Sequence, residues 1–180
     1  RHEPYKEYKA TRAKAPDELY AQIPYIKEVL AAMKIPVFEK KGFEADDVIG
    51  TITKLADGAA HSIIVTGDMD TLQLVNENTV VYTMRKGLND TVLYDPAAVR
   101  ARFDLEPSQM IDYKALRGDA SDNIKGVKGI GEKTAEELIV NFGGIENIYK
   151  KLKKDEKSFE KAGIKGIGIT GNISVNEVVI

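Results

Sequence analysis

Residues 62–70 read SIIVTGDMD, an apolar run that ends in glycine and two aspartates. A short continuous apolar run with β-branched residues, closed by a turn signal, is typical of a parallel strand buried on both faces. Further strands are predicted at 35–40 (IPVFEK), 79–84 (TVVYTM) and 91–95 (TVLYD). Helical patterns begin at Asp17 and Glu44, with a short helix near 70–75. This alternation up to about residue 103 predicts an α/β layer.

The character of the chain changes after this layer. Asp95 is placed to cap a helix that starts at Pro96, because aspartate favours the N-cap and proline the first helical position. Beyond Phe103 come helical patterns separated by glycine turns, at 107–118, 131–144 and 144–154. The second half is therefore predicted to be all helical.

The amino-acid composition limits the kinds of metal or binding site that the chain can contain. The 180 residues are 43% hydrophobic and 30% charged, which is typical of a soluble globular protein. Absence of cysteine excludes disulfides and thiolate metal sites, and two histidines leave little room for a zinc site. No apolar run is long enough to span a membrane. The net charge is −2, yet residues 1–14 carry a local positive excess, so a nucleic-acid partner is not excluded.

Carboxylates concentrate in three short motifs: EADD at 44–47, TGDMD at 66–70 and RGDASDN at 117–123. Sites in open α/β sheets form beyond the carboxyl ends of strands, where the second motif lies. Carboxylates without histidine or cysteine suit hard cations such as Mg²⁺. Two such ions about 3.5–4 Å apart can hold the attacking water and the leaving oxygen of a phosphodiester. The candidate ligands are Glu44, Asp46, Asp47, Asp68, Asp70, Asp119 and Asp122.

Each acidic motif taken alone has a simpler interpretation. EADD would be a helix N-terminus with solvated acids, which the helix dipole favours. TGDMD and GDASDN would be turns rich in aspartate. A helical wheel also prevents Glu44, Asp46 and Asp47 from all pointing one way, so at least one of them is expected to be a cap or to lie behind the ligands.

Two basic segments could contact nucleic acid. Backbone N–H groups of the glycine turn in NIKGVKGIGEKTA, at 123–135, can hold a phosphate at a helix start. The candidates there are Lys125, Gly126, Lys128, Gly129, Gly131, Lys133 and Thr134. In YKEYKATR, at 5–12, tyrosine could stack on an unpaired base and basic side chains could bind phosphates. The alternatives are an ordinary turn between helices and a solvated polar loop.

The motifs RHEPYKEYKATR, GFEADDVIGT, TGDMDTLQLV, ALRGDASDNIKGVKGIGEKTA and FGGIENIY stand in the order and spacing of one family. Over residues 1–155 the chain resembles the 5′-3′ exonuclease domains of bacterial DNA polymerases I, in the flap endonuclease family. The resemblance implies a PIN-like nuclease core with a mixed, mainly parallel sheet. It also implies a helix-three-turn-helix DNA-binding region. The expected limits are 1–103 for the core with a basic arch at 1–16, 104–160 for the helical region, and an unassigned tail at 161–180.

The resemblance also implies an activity and its residues. The expected activity is cleavage of DNA phosphodiesters at 5′ flaps or single-strand/duplex junctions, using two or three Mg²⁺ or Mn²⁺ ions. The seven acids would hold the ions directly or through water. Lys9 and Arg12 would polarise the scissile phosphate, Tyr8 would stack on a displaced base, and Arg1 would join the glycine turn in binding DNA. A monomer in the bacterial cytoplasm, associated with the nucleoid and linked to a polymerase domain in its parent chain, is expected.

One departure from the family pattern bears on activity. The family carries a metal-binding Asp on an N-terminal strand, and another shortly before RHE, and both would precede Arg1. The chain is therefore expected to be an N-terminally truncated domain whose activity is impaired. Two other functions stay open: a non-catalytic DNA-binding fragment of this domain, and a phosphatase-like enzyme for small phosphoesters. The basic segment at 5–12 and the glycine turn at 123–135 argue against the phosphatase-like enzyme, because a small substrate needs neither.

Overall fold

A three-stranded mixed sheet forms one layer of the protein, whose computed structural model describes residues 5–84 and 90–154. Strand β1 (Ser62–Val65) runs parallel to β2 (Thr79–Met84), which pairs antiparallel with β3 (Thr91–Tyr94). Ile64 lies opposite Val81, and Val81 lies opposite Tyr94, so these three side chains form one buried row. The predicted strands form at 62–65, 79–84 and 91–94, the last one residue shorter than predicted. The prediction that β1 is buried on both faces is wrong, because Ile63 and Val65 are exposed and only Ile64 packs into the core.

Helices form where the sequence predicts them, and α2 and α3 contact the sheet. Helix α1 spans Asp17–Ala32 and continues through Pro24, and α2 spans Ala45–Ala56. A 3₁₀ helix, Met69–Leu74, follows β1. Helix α3, Pro96–Phe103, begins at the predicted cap: Ala98 N donates to Asp95 Oδ1 over 2.7 Å.

The second half is helical in the part of the chain that the structure describes. A 3₁₀ turn, Pro107–Gln109, leads into α4 (Met110–Arg117), which is followed by α5 (Glu132–Phe142) and α6 (Ile145–Lys154). Gly118 ends α4 with φ +80°, and Gly143 ends α5 with φ +85°. Glycine suits both positions because its missing Cβ makes left-handed backbone accessible.

One hydrophobic core joins the sheet to the helical half. Val81 and Tyr94 of the sheet belong to the same buried cluster as Leu72 of the 3₁₀ helix and Leu138 and Ile139 of α5. Helix α4 also contacts the 3₁₀ helix directly. The continuous core thereby holds the segment after β1 against the segment after α4, and both of these segments carry candidate site acids.

The strand predicted at 35–40 does not form. Residues 35–40 take no regular structure and join no sheet in the described ranges. Pro36 supplies no amide donor, and a strand needs a neighbour for its backbone groups. Around this segment, α1 and α2 have no buried residue, and Phe38, Phe43 and Leu55 are exposed. Among the described helices, none has the length and apolar character to cross a bilayer.

Candidate metal centre and nucleic-acid interface

The first acidic motif forms the start of α2. Glu44 is the N-cap, and its backbone N–H donates to Asp47 Oδ2 over 2.8 Å. This bond satisfies an amide that the helix itself leaves without a partner. The expectation that at least one of the three acids acts as a cap is confirmed, because Glu44 and Asp47 form a capping box. Asp46 lies in the first turn of α2, between Glu44 and Asp47 in the sequence.

The second motif follows β1 directly. Asp68 caps the 3₁₀ helix by accepting from Asp70 N over 3.0 Å, and Asp68 N donates to Thr66 Oγ1 over 3.0 Å. Partial burial raises the pKa of Asp46, and the negative charges of Asp68, Asp70 and Glu44 raise it further. Helix α2 also contacts the 3₁₀ helix directly, so the first and second motifs meet in space.

The third motif forms a closed loop, which we call the acid loop (residues 118–126). Asp119 and Ile124 exchange both backbone hydrogen bonds at 2.8 Å. Gly118 and Gly126 stand at its neck so closely that a Cβ on Gly118 would lie 2.6 Å from Gly126 N. Only glycine fits such an approach, so the loop depends on both residues.

Lys114 of α4 ties the acid loop to the second motif. Its ammonium pairs with Asp70 and lies 2.7 Å from Asp119 Oδ2. Burial opposes ionisation of Asp119, but hydrogen bonds from Lys114 and Ser121 outweigh it and hold the pKa of that carboxyl well below its usual range. For Lys114, burial lowers the pKa, yet the hydrogen bonds to Asp119 and Asp70 leave it raised.

The basic arm (described from residue 5 to residue 12) lies against these acids. The Tyr8 ring is only 4% exposed, and its hydroxyl lies 3.1 Å from both Glu44 Oε2 and Asp122 Oδ2. Lys9 Nζ donates to Glu44 Oε2 over 2.6 Å, while Arg12 pairs with Asp122. Lys9 and Arg12, predicted to polarise the phosphate, and Tyr8, predicted to stack on a base, are thus brought together with the first and third acidic motifs. The buried Tyr8 ring is not presented for stacking in this arrangement.

These oxygen-only groups suit a hard divalent cation chemically. Repulsion at Asp46 is the kind of energetic penalty that a bound cation relieves. Within residues 5–84 and 90–154, however, no three Asp, Glu or His side chains are already arranged around one ion position. Lys9, Arg12 and Lys114 instead provide positive charge to the same carboxylates. The residues therefore fit the group in kind, and the ligand set stays a prediction.

The glycine turn predicted to bind DNA lies on the surface at the start of α5. Lys125, Lys128, Gly129, Gly131 and Lys133 are exposed, Gly126 and Thr134 are partly buried, and Gly131 is the N-cap of the helix. Gly129 has φ +87° with open space around its Cα, so a ligand backbone could approach it. The predicted DNA contact Arg1 and the tail 161–180 lie outside the described residues.

Sequence reasoning missed two residues of this site, Lys114 and Asn123, which make contacts there that no motif assigned to them. Tyr5 was considered for base stacking, but its hydroxyl donates to the Asn123 carbonyl. Lys114 precedes Asp119 by five residues across the end of a helix, and helical spacing alone does not show that the two meet. Asn123 could have been suspected, because asparagine is the non-glycine residue most at ease in left-handed backbone.

Two family models match the chain. Residues 1–104 match the 5′-3′ exonuclease N-terminal resolvase-like domain, and residues 105–169 match the 5′-3′ exonuclease C-terminal SAM fold. DNA polymerase I of Caldicellulosiruptor bescii is 45% identical over 160 residues, which is 87% of this chain and 19% of that protein. The Bacillus subtilis enzyme is 43% identical over 162 residues, covering 89% and 18%. The chain thus spans about a fifth of the length of these relatives.

Solved structures agree with this assignment. A bacteriophage T5 flap endonuclease in complex with DNA and metal ions is 26% identical, with a TM-score of 0.69 covering 91% of this chain and 63% of that one. A T5 5′-exonuclease with bound zinc is also 26% identical, with a TM-score of 0.69 covering 89% and 65%. The predicted α/β nuclease core with a helical second region is confirmed by these matches. The chain belongs to the 5′-3′ exonuclease family.

Proposed function

We propose that this chain is a divalent-metal-dependent 5′-3′ exonuclease and 5′-flap endonuclease that hydrolyses DNA phosphodiesters in replication and repair. The observation that carries the proposal is the meeting of acids and bases around Tyr8, whose hydroxyl lies 3.1 Å from both Glu44 and Asp122. Phosphoryl chemistry needs this combination, because cations must be held beside the substrate while positive groups face its charge. The family assignment supports the same activity.

The acids have distinct proposed roles. Glu44, Asp46, Asp68, Asp70, Asp119 and Asp122 would hold two or three Mg²⁺ or Mn²⁺ ions, directly or through water. Such ions supply a water of lowered pKa and neutralise the phosphate. Asp47 would act behind the ligands, because its Oδ2 already accepts from Glu44 N. Burial and crowding at Asp46 favour a bound cation there.

The basic arm would act on the substrate. Lys9 and Arg12 bind carboxylates that are also candidate ligands, so their charges become available to a phosphate once these carboxylates bind cations. Each would then stabilise negative charge that grows on the phosphate oxygens. Tyr8 would stack on a displaced base, which requires its ring to leave its present buried position under the Lys9 ammonium, 4.7 Å from the ring centre.

The DNA would extend over the start of α5. Exposed Lys128 and Lys133 with the glycine turn would bind the duplex backbone without reading sequence, and Arg1 would add a contact. The proposed substrate is a 5′ flap or a single-strand/duplex junction. The proposed setting is a monomeric module, 1–103 for catalysis and 104–160 for DNA, in the bacterial cytoplasm at the nucleoid, with a polymerase domain in the parent chain.

Cleavage of a labelled 5′-flap DNA by this chain in Mg²⁺ tests the activity. The key variant is Asp68→Asn, which keeps an oxygen to cap the 3₁₀ helix but removes the charge. Asp57→Asn is the matched control, because Asp57 follows the C-terminal end of α2 and accepts from Asn78 over 3.0 Å, and neither residue belongs to the three acidic motifs. Cleavage by the parent chain and by Asp57→Asn, lost in Asp68→Asn, is expected.

Failure of cleavage would separate the remaining functions. Flap binding without cleavage in either Mg²⁺ or Mn²⁺ would identify the chain as a DNA-binding fragment. Hydrolysis of a small phosphoester without DNA binding would support the phosphatase alternative. A Lys133→Ala variant should bind the flap more weakly, with a salt dependence reduced by about one charge. Unchanged salt dependence would show that the glycine turn does not bind DNA.

A further inference from the structure

Three of the hydrogen bonds that attach the basic arm to the acid loop use none of the carboxylates that are candidate ligands. Tyr5 OH donates to Asn123 O over 3.0 Å, and Asn123 Nδ2 donates to the Glu7 carbonyl over 2.8 Å. Lys9 N donates to the Asp122 carbonyl over 3.0 Å. We call the two Asn123 bonds the clasp. They join residues that are more than 110 positions apart in sequence.

The backbone at this junction is strained on both sides. Lys9 has φ +56° and Asn123 has φ +60°, and neither residue is glycine. Left-handed backbone is unfavourable for L-residues with a Cβ, and is least so for asparagine. Such conformations persist only where surrounding contacts determine them, and they cluster at functional sites. The strain at Lys9 therefore points to a junction that must hold one geometry.

The clasp differs from the ion pairs in a way that matters once the site is in use. The ion pairs of Lys9 with Glu44 and of Arg12 with Asp122 share their oxygens with any cation bound at these carboxylates. The clasp uses the carboxamide and carbonyl of Asn123 and none of those oxygens. It can thus keep the arm docked when the ion pairs are broken.

We propose that Asn123 is a positioning residue, whose clasp with Tyr5 and Glu7 keeps the basic arm docked on the acid loop so that Lys9 and Arg12 remain beside the reacting phosphate. This inference rests on the proposed nuclease function. Asn123 touches neither the phosphate nor the ions in this scheme. It acts through the arm.

An Asn123→Gly variant removes the carboxamide and leaves a residue that adopts φ +60° without strain. We expect trypsin to cut the arm after Lys6, Lys9 or Arg12 about tenfold faster than in the parent chain, as the loss of such a hydrogen bond allows. We expect kcat on a 5′ flap to fall by about tenfold with a smaller change in KM. Mn²⁺ affinity, measured by calorimetry, should stay within about twofold, because no acid is altered.

A second variant guards against loss of folding. Tyr5→Phe removes only the hydroxyl and should move the trypsin rate and kcat in the same direction by a smaller factor. Tyr25→Phe is the matched control, an exposed tyrosine on α1, and should behave as the parent chain. The arm fragments are identified by mass spectrometry, so the trypsin rate does not depend on nuclease activity.

The outcomes are separable. Unchanged trypsin rates in both Asn123→Gly and Tyr5→Phe would overturn the clasp. A fall in Mn²⁺ affinity as large as the fall in kcat would also overturn it, because Asn123 would then shape the acid loop and not the arm. If the parent chain cuts no DNA, the proposed function fails, while the trypsin rates still decide whether Asn123 docks the arm.

Discussion

A Lys114→Met variant would remove the ammonium group that pairs with both the second and the third acidic motifs, and would keep an unbranched side chain. The ammonium pairs with Asp70 and lies 2.7 Å from Asp119 Oδ2, and the Lys114 side chain is 28% exposed. A hydrogen bond between charged groups contributes about 1.5–3 kcal/mol, and solvent reduces this where the pair is partly open. We expect the free energy of unfolding to fall by about 2–3 kcal/mol in EDTA. For a chain of this size, that lowers Tm by about 5–10 °C.

The loss of stability in Lys114→Met should depend on whether divalent cations are present. Without Lys114, Asp70 and Asp119 repel each other and bind a cation more readily. A ligand that binds only the native state stabilises it. The Tm difference between Lys114→Met and the parent chain should therefore shrink when Mg²⁺ or Mn²⁺ replaces EDTA.

Thermal denaturation followed by circular dichroism measures both effects. Lys27→Met is the matched control, because Lys27 Nζ lies 2.7 Å from Glu39 but both side chains are largely exposed. Such a surface pair contributes about 0–1 kcal/mol. Equal melting of the Lys114 and Lys27 variants would refute the reasoning, and so would a Lys114 deficit that is the same with and without divalent cation.

Three further predictions concern the fold. Asp95→Ala should lower the free energy of unfolding by about 1 kcal/mol in urea denaturation, because α3 loses its cap, and an unchanged midpoint would contradict this. Gly118→Ala should destabilise far more than Gly58→Ala, since both have positive φ but only Gly118 lies against backbone, and similar losses would show that the neck can yield. The pKa of Asp119 is depressed in the folded state, so its contribution is present above about pH 4 and is lost as the pH falls further. Stability measured between pH 3 and 6 should therefore change less in Asp119→Asn, and parallel profiles would refute this.

Local signals were sufficient wherever neighbours in sequence determine structure. The strand at 79–84 and the capped start of α3 at Asp95 lie where the residues predict them. Asp47 became a cap because a side chain three positions after an N-cap reaches back to its amide. The strand at 35–40 failed because pairing requires a neighbour, which local pattern cannot supply.

The site was predictable as a set of residue types but not as a set of contacts. Three acidic motifs predicted a cation site, and the structure brings these motifs near one another. That Lys114 bridges two of them, and that the Tyr8 ring is buried, follows from how α4 and the arm pack across the molecule. Such long-range packing leaves no periodic trace in the sequence.

The clasp joins two segments that the ribosome synthesises at different times. Tyr5 and Asn123 are 118 residues apart. At ribosomal speeds the arm is synthesised roughly ten seconds before its docking partner exists. Contacts of such long range also close late in folding, since chain entropy opposes them until the intervening elements are in place. The arm can therefore dock on the acid loop only after synthesis has passed Asn123.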